Sequence, residues 1–245
     1  RQAYIWTQFL HDNILPLEGV TVAYEFEPLP TLVTPWMENG CLDDYLRQKF
    51  GLSWERKLSM VREVAAGLEY LHDKDIVHGN LTAHNILLDG SGHVHIADFS
   101  HSIILAEAGS WMFSEQPSGD ARYTAPESIF TSGQTGASKP TKSGDVYSYG
   151  CVLNPSYLSV GSGRQGAYHY VRNQAAIINN ISHRIMPKRL PTSDIIDSNW
   201  DFMQTCWSRD MEHRPLTKTF WNLWEDELKF NHSECCLCTC LLCVD

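Results

Sequence analysis

The run from Ile76 to Ser100 constrains the fold more tightly than any other part of the chain: Ile-Val-His-Gly-Asn-Leu-Thr-Ala-His-Asn-Ile-Leu-Leu-Asp-Gly-Ser-Gly-His-Val-His-Ile-Ala-Asp-Phe-Ser. Ile86 to Leu88 and Val94 to Ile96 read as short strands, and Asp89-Gly90-Ser91-Gly92 between them is a hairpin turn signal. Upstream, apolar side chains recur from Trp54 through Leu58, Val61, Ala65, Leu68 and Leu71 at the spacing of an amphipathic helix. Ser53 is its expected N-cap, and His72-Asp73-Lys74-Asp75 ends the pattern. The order is therefore a long helix, a polar loop, a hairpin and then Asp98-Phe99.

Taken singly, these residues have plain readings. His78-Gly79-Asn80 suits a turn, because Gly and Asn both favour turn geometry. Asn80-Leu81-Thr82 matches an N-glycosylation acceptor, and Asp98 suits a strand end.

Their order resembles the catalytic and metal-binding loops of a eukaryotic protein kinase, which read H-R-D-L-x-x-x-N and then D-F-G. His78, Leu81, Asn85, Asp98 and Phe99 keep the pattern. Gly79 stands for the Arg, Asn80 for the catalytic Asp, and Ser100 for the last Gly. The resemblance implies that Asn85 and Asp98 hold magnesium with ATP, and that position 80 takes the proton of the substrate hydroxyl. An amide at Asn80 can orient a hydroxyl but has no useful basicity near neutral pH.

The resemblance runs in both directions from this core. His11-Asp12-Asn13-Ile14-Leu15-Pro16-Leu17 is similar to the segment after the regulatory helix of the small lobe. Leu32 to Gly40 is similar to the hinge, with Thr34 as gatekeeper and backbone groups near Trp36 and Met37 facing an adenine. Ala125-Pro126-Glu127 matches the close of the activation segment, and Asp145 to Gly150 the start of the central large-lobe helix. Trp207 and His213-Arg214-Pro215 match the last block, whose Arg pairs with the Glu of A-P-E, here Glu127. The resemblance implies that Asp145 receives backbone N–H groups of the catalytic loop. Motifs in the family's order weigh far more than any one alone.

In style the motifs resemble the tyrosine-kinase-like branch, and in particular kinase-like and pseudokinase domains of mushroom-forming fungi. Thr82 stands where serine/threonine kinases place a Lys, and pseudokinase domains of the Janus kinase type also carry His-Gly-Asn. The helix Glu of the family falls at Gln2, and the glycine-rich loop and nucleotide-pairing Lys are expected upstream of Arg1. Gly161-Ser162-Gly163-Arg164-Gln165-Gly166 imitates a glycine-rich loop, but it follows the central helix and reads as a flexible loop. Asn154-Pro155 would break that helix, so residues 154–166 read as an insertion, a shortened helix or a gene-model error. The helical pattern resumes over Tyr168 to Ile177.

With 245 residues, 43% of them hydrophobic, the chain has length for a sizeable core. A formal charge of −10 argues against general nucleic-acid binding. No signal peptide or long apolar span appears, which points to a cytoplasmic protein without a transmembrane segment. Ser110 to Gly119 and Thr131 to Ser143 have the composition of disordered segments. Five of the eight Cys lie in the tail, at 235, 236, 238, 240 and 243. Their spacing is not that of a structural zinc site, and acylation, a tail without function and a splicing error all remain open beside zinc.

The expected architecture is α+β: a bilobal protein-kinase-like fold over residues 1–230, with a truncated small lobe over about 1–36, a mainly α-helical large lobe over about 37–230, and a Cys-rich tail at 231–245. The expected function is that of a pseudokinase, a binding or scaffold module for protein partners. The alternatives are a fragment of an ATP-dependent serine/threonine or tyrosine kinase with residual phosphotransfer, and a decayed gene product.

Overall fold

The computed structural model describes residues 2–22, 31–49, 51–105, 120–129, 139–153, 167–189 and 197–220. The Gly161–Gly166 loop, residues 110–119, Asn154-Pro155 and the Cys-rich tail lie outside them, as does the side chain of Gln2.

Helix α3 (Trp54–Asp73) organises the fold. The Ser53 hydroxyl accepts the Arg56 backbone N–H at 3.2 Å, which satisfies one of the donors a helix start leaves over. Leu58, Val61, Val64, Ala65, Leu68 and Leu71 form its buried stripe. Against that stripe lies the antiparallel hairpin of β4 (Ile86–Leu88) and β5 (Val94–Ile96), in register Ile86↔Ile96 and Leu88↔Val94. The carboxylate of Asp89 fixes the turn by accepting the N–H groups of Ser91 and His93, both at 2.9 Å. Burial works to raise its pKa, yet hydrogen bonds from Ser91, His93 and His95 hold it near 2.

The Asn13–Leu15 segment extends this hairpin. Ile14 bridges Ile96 in parallel, the Leu15 N–H donates to the Ile96 carbonyl, and the Ile96 N–H to the Asn13 carbonyl. This brings backbone against α3 at Gly67, where an added Cβ would lie 2.7 Å from the Asn13 oxygen. Before it comes α1 (Gln2–Trp6); after it β1 (Gly19–Thr21) pairs antiparallel with β2 (Thr31–Val33). Short α2 (Leu42–Gln48) leads from the residue 34–40 stretch towards α3.

Helix α5 (Lys142–Val152) runs through the second half of the core, with Asp145 to Val152 all buried. It starts three residues before Asp145, where the sequence places its beginning, because Thr141 caps it: the hydroxyl accepts the Gly144 N–H at 2.9 Å. Residues 139–143, read from composition as disordered, are thus the approach to a capped helix. Gly150 allows close packing on α7 (Asp197–Cys206), since a Cβ there would meet that of Cys206 at 2.6 Å. Ala167–Tyr170 forms a turn, and α6 (Gln174–Ser182) begins only after the Asn173 cap, later than the expected Tyr168. Short α4 (Pro126–Ile129) completes the helices that frame the site. One continuous apolar core joins these elements.

Candidate functional site

Strands β3 (Ile76–Val77) and β6 (Ile103–Ile104) pair antiparallel and hold the two ends of the region together. Between them the His78–Asn85 loop and the Asp98–His101 turn face each other.

The loop is suspended from Asp145 on α5. Its carboxylate accepts the backbone N–H of His78 at 2.8 Å, that of Gly79 at 2.9 Å, and the Nε2 proton of His72 at 3.0 Å. Asp145 is 2% exposed, so these donors replace the water it has lost. Lys142, one turn earlier, donates to the His72 carbonyl and to the Asp75 carboxylate. Sequence alone reads His72 merely as the end of a helix; its partner is 73 residues away.

The buried His78 ring sits in one protonation state by geometry. Its Nε2 faces the Ala97 carbonyl at 2.9 Å and must donate, while its Nδ1 accepts the Asn80 N–H at 3.2 Å. A second ring proton would therefore point at a donor. Burial lowers the pKa of His78, against an opposing pull from Asp145. Phe99 packs on the His78 ring at 5.3 Å between centroids, and on Trp6 and Phe9 at 5.2 and 4.6 Å. The aromatic pair from the α1 region thus clamps the residue after Asp98.

Asn80, Asn85 and Asp98 come together. The Asn85 amide donates to the Asn80 carbonyl at 2.8 Å, and the Asn80 amide donates to the Asp98 carboxylate at 3.4 Å. The other Asp98 oxygen accepts the Ser100 N–H at 3.3 Å. Asp98 has φ 60°, a left-handed conformation that Asp tolerates better than most residues. With its amide nitrogen engaged, Asn85 has Oδ1 left to offer a cation. Asn85 Oδ1 and the Asp98 carboxylate, both beside Asn80, are hard oxygen ligands of the kind that magnesium accepts. Among the described residues no three His, Cys, Asp or Glu side chains converge on one point, so a purely protein-held metal has no cage. The Asn80 amide nitrogen, the atom that glycosylation would modify, is engaged by Asp98.

Gly79 carries φ +78°, and an added Cβ would lie 2.8 Å from the His101 carbonyl and 3.2 Å from Pro140. The segment entering α5 therefore rests on the loop backbone itself. Gly79→Ala should destabilise the chain by about 1–3 kcal/mol. Gly40→Ala, with φ +68° and nothing within 4 Å, carries the strain without the crowding. Equal denaturation midpoints for the two variants would show that Pro140 does not press on the loop.

The residue 34–40 stretch is tied to the hairpin that follows the loop. Thr34 and Met37 are half-buried, whereas Trp36 is 83% exposed. The Met37 carbonyl accepts the Gly40 N–H at 3.1 Å, and the Leu88 N–H donates to the Gly40 carbonyl at 2.9 Å, tying the stretch to β4.

A second charged centre lies behind the loop. Arg214 grips Glu127 with two hydrogen bonds, at 2.6 and 2.8 Å, and donates further to the Ser208 and Ser143 carbonyls. Its side chain is fully buried and stacks over the Tyr147 ring. The stretch before Glu127 is anchored too: Asp120 pairs with Arg122 at 2.8 Å, and Gln174 on α6 bonds both Asp120 and the Ala121 N–H.

A family model for protein tyrosine and serine/threonine kinases matches residues 1–223. The chain is 32% identical over 213 residues to receptor-interacting serine/threonine-protein kinase 3 of Homo sapiens, covering 84% of this chain and 40% of that protein. It is 34% identical over 218 residues to ephrin type-B receptor 2 of Gallus gallus, and 35% over 218 residues to ephrin type-B receptor 5 of the same species. Those two matches cover 87% of this chain and 20% of each relative, so the chain spans only a minor part of the curated relatives it matches.

Proposed function

This chain belongs to the protein kinase family, and from that premise we propose that it works as a pseudokinase, a folded module that holds protein partners in signalling without transferring phosphate. The observation that carries the reading is the Asn80 amide bonded to Asp98. Phosphoryl transfer needs an acceptor with basicity at this place, to orient the substrate hydroxyl and receive its proton. Asn80 instead presents a donor to the carboxylate and has no proton-accepting role to fill.

Proteins of this family generally use ATP and magnesium. In this chain Thr34, Trp36 and Met37 would border the adenine, and Asn85 and Asp98 would hold the cation that neutralises phosphate charge. Phe99 would set the backbone of Asp98 from below. The oxygen pair of Asn85 and Asp98 favours a second reading, an ATP-dependent kinase fragment with residual activity. In the proposed architecture residues 1–36 are the small-lobe portion and 37–230 the large lobe. No helix among the described residues is long and apolar enough to cross a membrane, and we take the protein to act in the cytoplasm.

Asn80→Asp tests the reading. The substitution sets a second carboxylate against Asp98, with Thr82 rather than a Lys nearby to balance it. The purified native chain should incorporate no phosphate into mixed histones or a Glu-Tyr copolymer beyond an Asp98→Ala control, and any transfer should need the base that Asn80→Asp supplies. Magnesium should raise the melting temperature of Asn80→Asp more than that of the native chain, because the cation relieves the carboxylate pair. Phosphate incorporation above the control by the native chain would favour the kinase-fragment reading instead.

A further inference from the structure

Charge is distributed unevenly along this chain. Between Val146 and Ser193 there is no Asp or Glu, although the whole chain has 29, while Arg164, Arg172, Arg184, Lys188 and Arg189 all fall there. In a protein of formal charge −10 this makes a local basic region. The described part, residues 167–189, is α6 with the turns before and after it.

The same region exposes large apolar side chains. Ile185 and Met186 are 42% and 44% exposed, and Tyr170 is 39% exposed. The Tyr170 hydroxyl donates to the Met186 carbonyl at 3.4 Å, and the Lys188 ammonium sits 5.1 Å above the Tyr170 ring. Buried Tyr168 holds the turn from beneath, donating to the Ile185 carbonyl at 2.8 Å. The patch is therefore a supported surface, with Arg172 and Arg184 exposed around it. Arg189 is already paired with Asp197.

We infer that this face docks an acidic polypeptide segment that also carries large apolar side chains. Apolar side chains at its centre and cations at its rim match such a segment in both respects. Asn179 and the amide NH2 of Asn173 lie exposed beside the patch and can pair with peptide groups, whereas a lipid surface would strip their water without replacing it. The patch also adjoins the tethered Asp120–Tyr123 stretch, since Arg122 donates to the Val171 carbonyl and Gln174 bonds Asp120. A docked segment would lie next to that stretch. The inference goes beyond the pseudokinase reading and holds whether or not Asn80 blocks phosphotransfer.

The test uses the full chain and a short fluorescein-labelled peptide combining Glu with Leu and Phe, against a counterpart with Lys for every Glu. Anisotropy should show binding of the Glu peptide only, weakening with added salt. Arg172→Glu with Arg184→Glu and Lys188→Glu should reduce affinity roughly tenfold or more at an unchanged melting temperature. Ile185→Ser with Met186→Ser should do the same without altering charge. Equal binding of both peptides, failure of the Glu peptide to bind, or indifference to both variants would overturn the inference. So would a dimer in sedimentation, or capture by phosphatidylserine vesicles, that depends on these same residues.

Discussion

Arg214→Ala is expected to lower the unfolding free energy by about 3 kcal/mol, and Glu127→Ala by about 3–5 kcal/mol. The order follows from which charge each substitution strands. Removing Arg214 leaves Glu127, whose side chain is 20% exposed and can turn to water, although the Ser208 and Ser143 carbonyls lose their donor. Removing Glu127 leaves a guanidinium with a side chain 0% exposed and no second carboxylate bonded to it among the described residues. The exposed pair Arg189–Asp197 supplies the control: Asp197 is 88% exposed, and Asp197→Ala should cost about 1 kcal/mol or less. Denaturant melts with a shared m-value rank the three. If Glu127→Ala and Arg214→Ala unfold with Asp197→Ala, the buried pair does not join α4 to the helices behind it.

How far the sequence reveals this structure depends on the range of the interaction. Helix α3 and the β4–β5 hairpin are legible because their signals are local: a buried stripe of helical period, a Ser cap, and Asp-Gly-Ser-Gly between two short strand-forming runs. The start of α5 is not, because Gly and Ser around Thr141 look like loop composition until the Thr141 cap is seen. Gly79 in sequence looks like a turn residue or a lost Arg. In the structure it is a left-handed residue under Pro140, a contact 61 positions apart along the chain. His72 and Asp98 are further cases, since their partners Asp145 and Asn80 are far off in sequence. Local chemistry thus writes the elements, whereas the polar contacts between them emerge only when the core brings the elements together.

Asp145→Ala should be among the most damaging single substitutions outside the apolar core, costing upwards of ~3 kcal/mol. It strands the buried His78 N–H and His72 ring proton, each worth about 1–3 kcal/mol when unpaired, and the part-buried Gly79 N–H beside them. Asp145→Asn keeps the shape and can keep the His78 and His72 bonds through its oxygen, but its NH2 then faces the Gly79 N–H, which can only donate. The variant also changes how the fold answers to acid. The folded pKa of His78 lies below its ordinary 6.5, so the unfolded chain binds the extra proton more readily. Its contribution to stability is fully present above pH 6.5 and is lost as pH falls towards the folded value. Asp145 is what pulls that value back up, so without it the folded pKa should drop further and the acid-sensitive window should extend lower. Urea midpoints measured from pH 8 down to 5 should therefore fall in the native chain and fall further in Asp145→Asn. A native midpoint that stays flat across that range would mean the His78 ring accepts its second proton freely, and that the loop is not hung from Asp145 as a neutral, hydrogen-bonded unit.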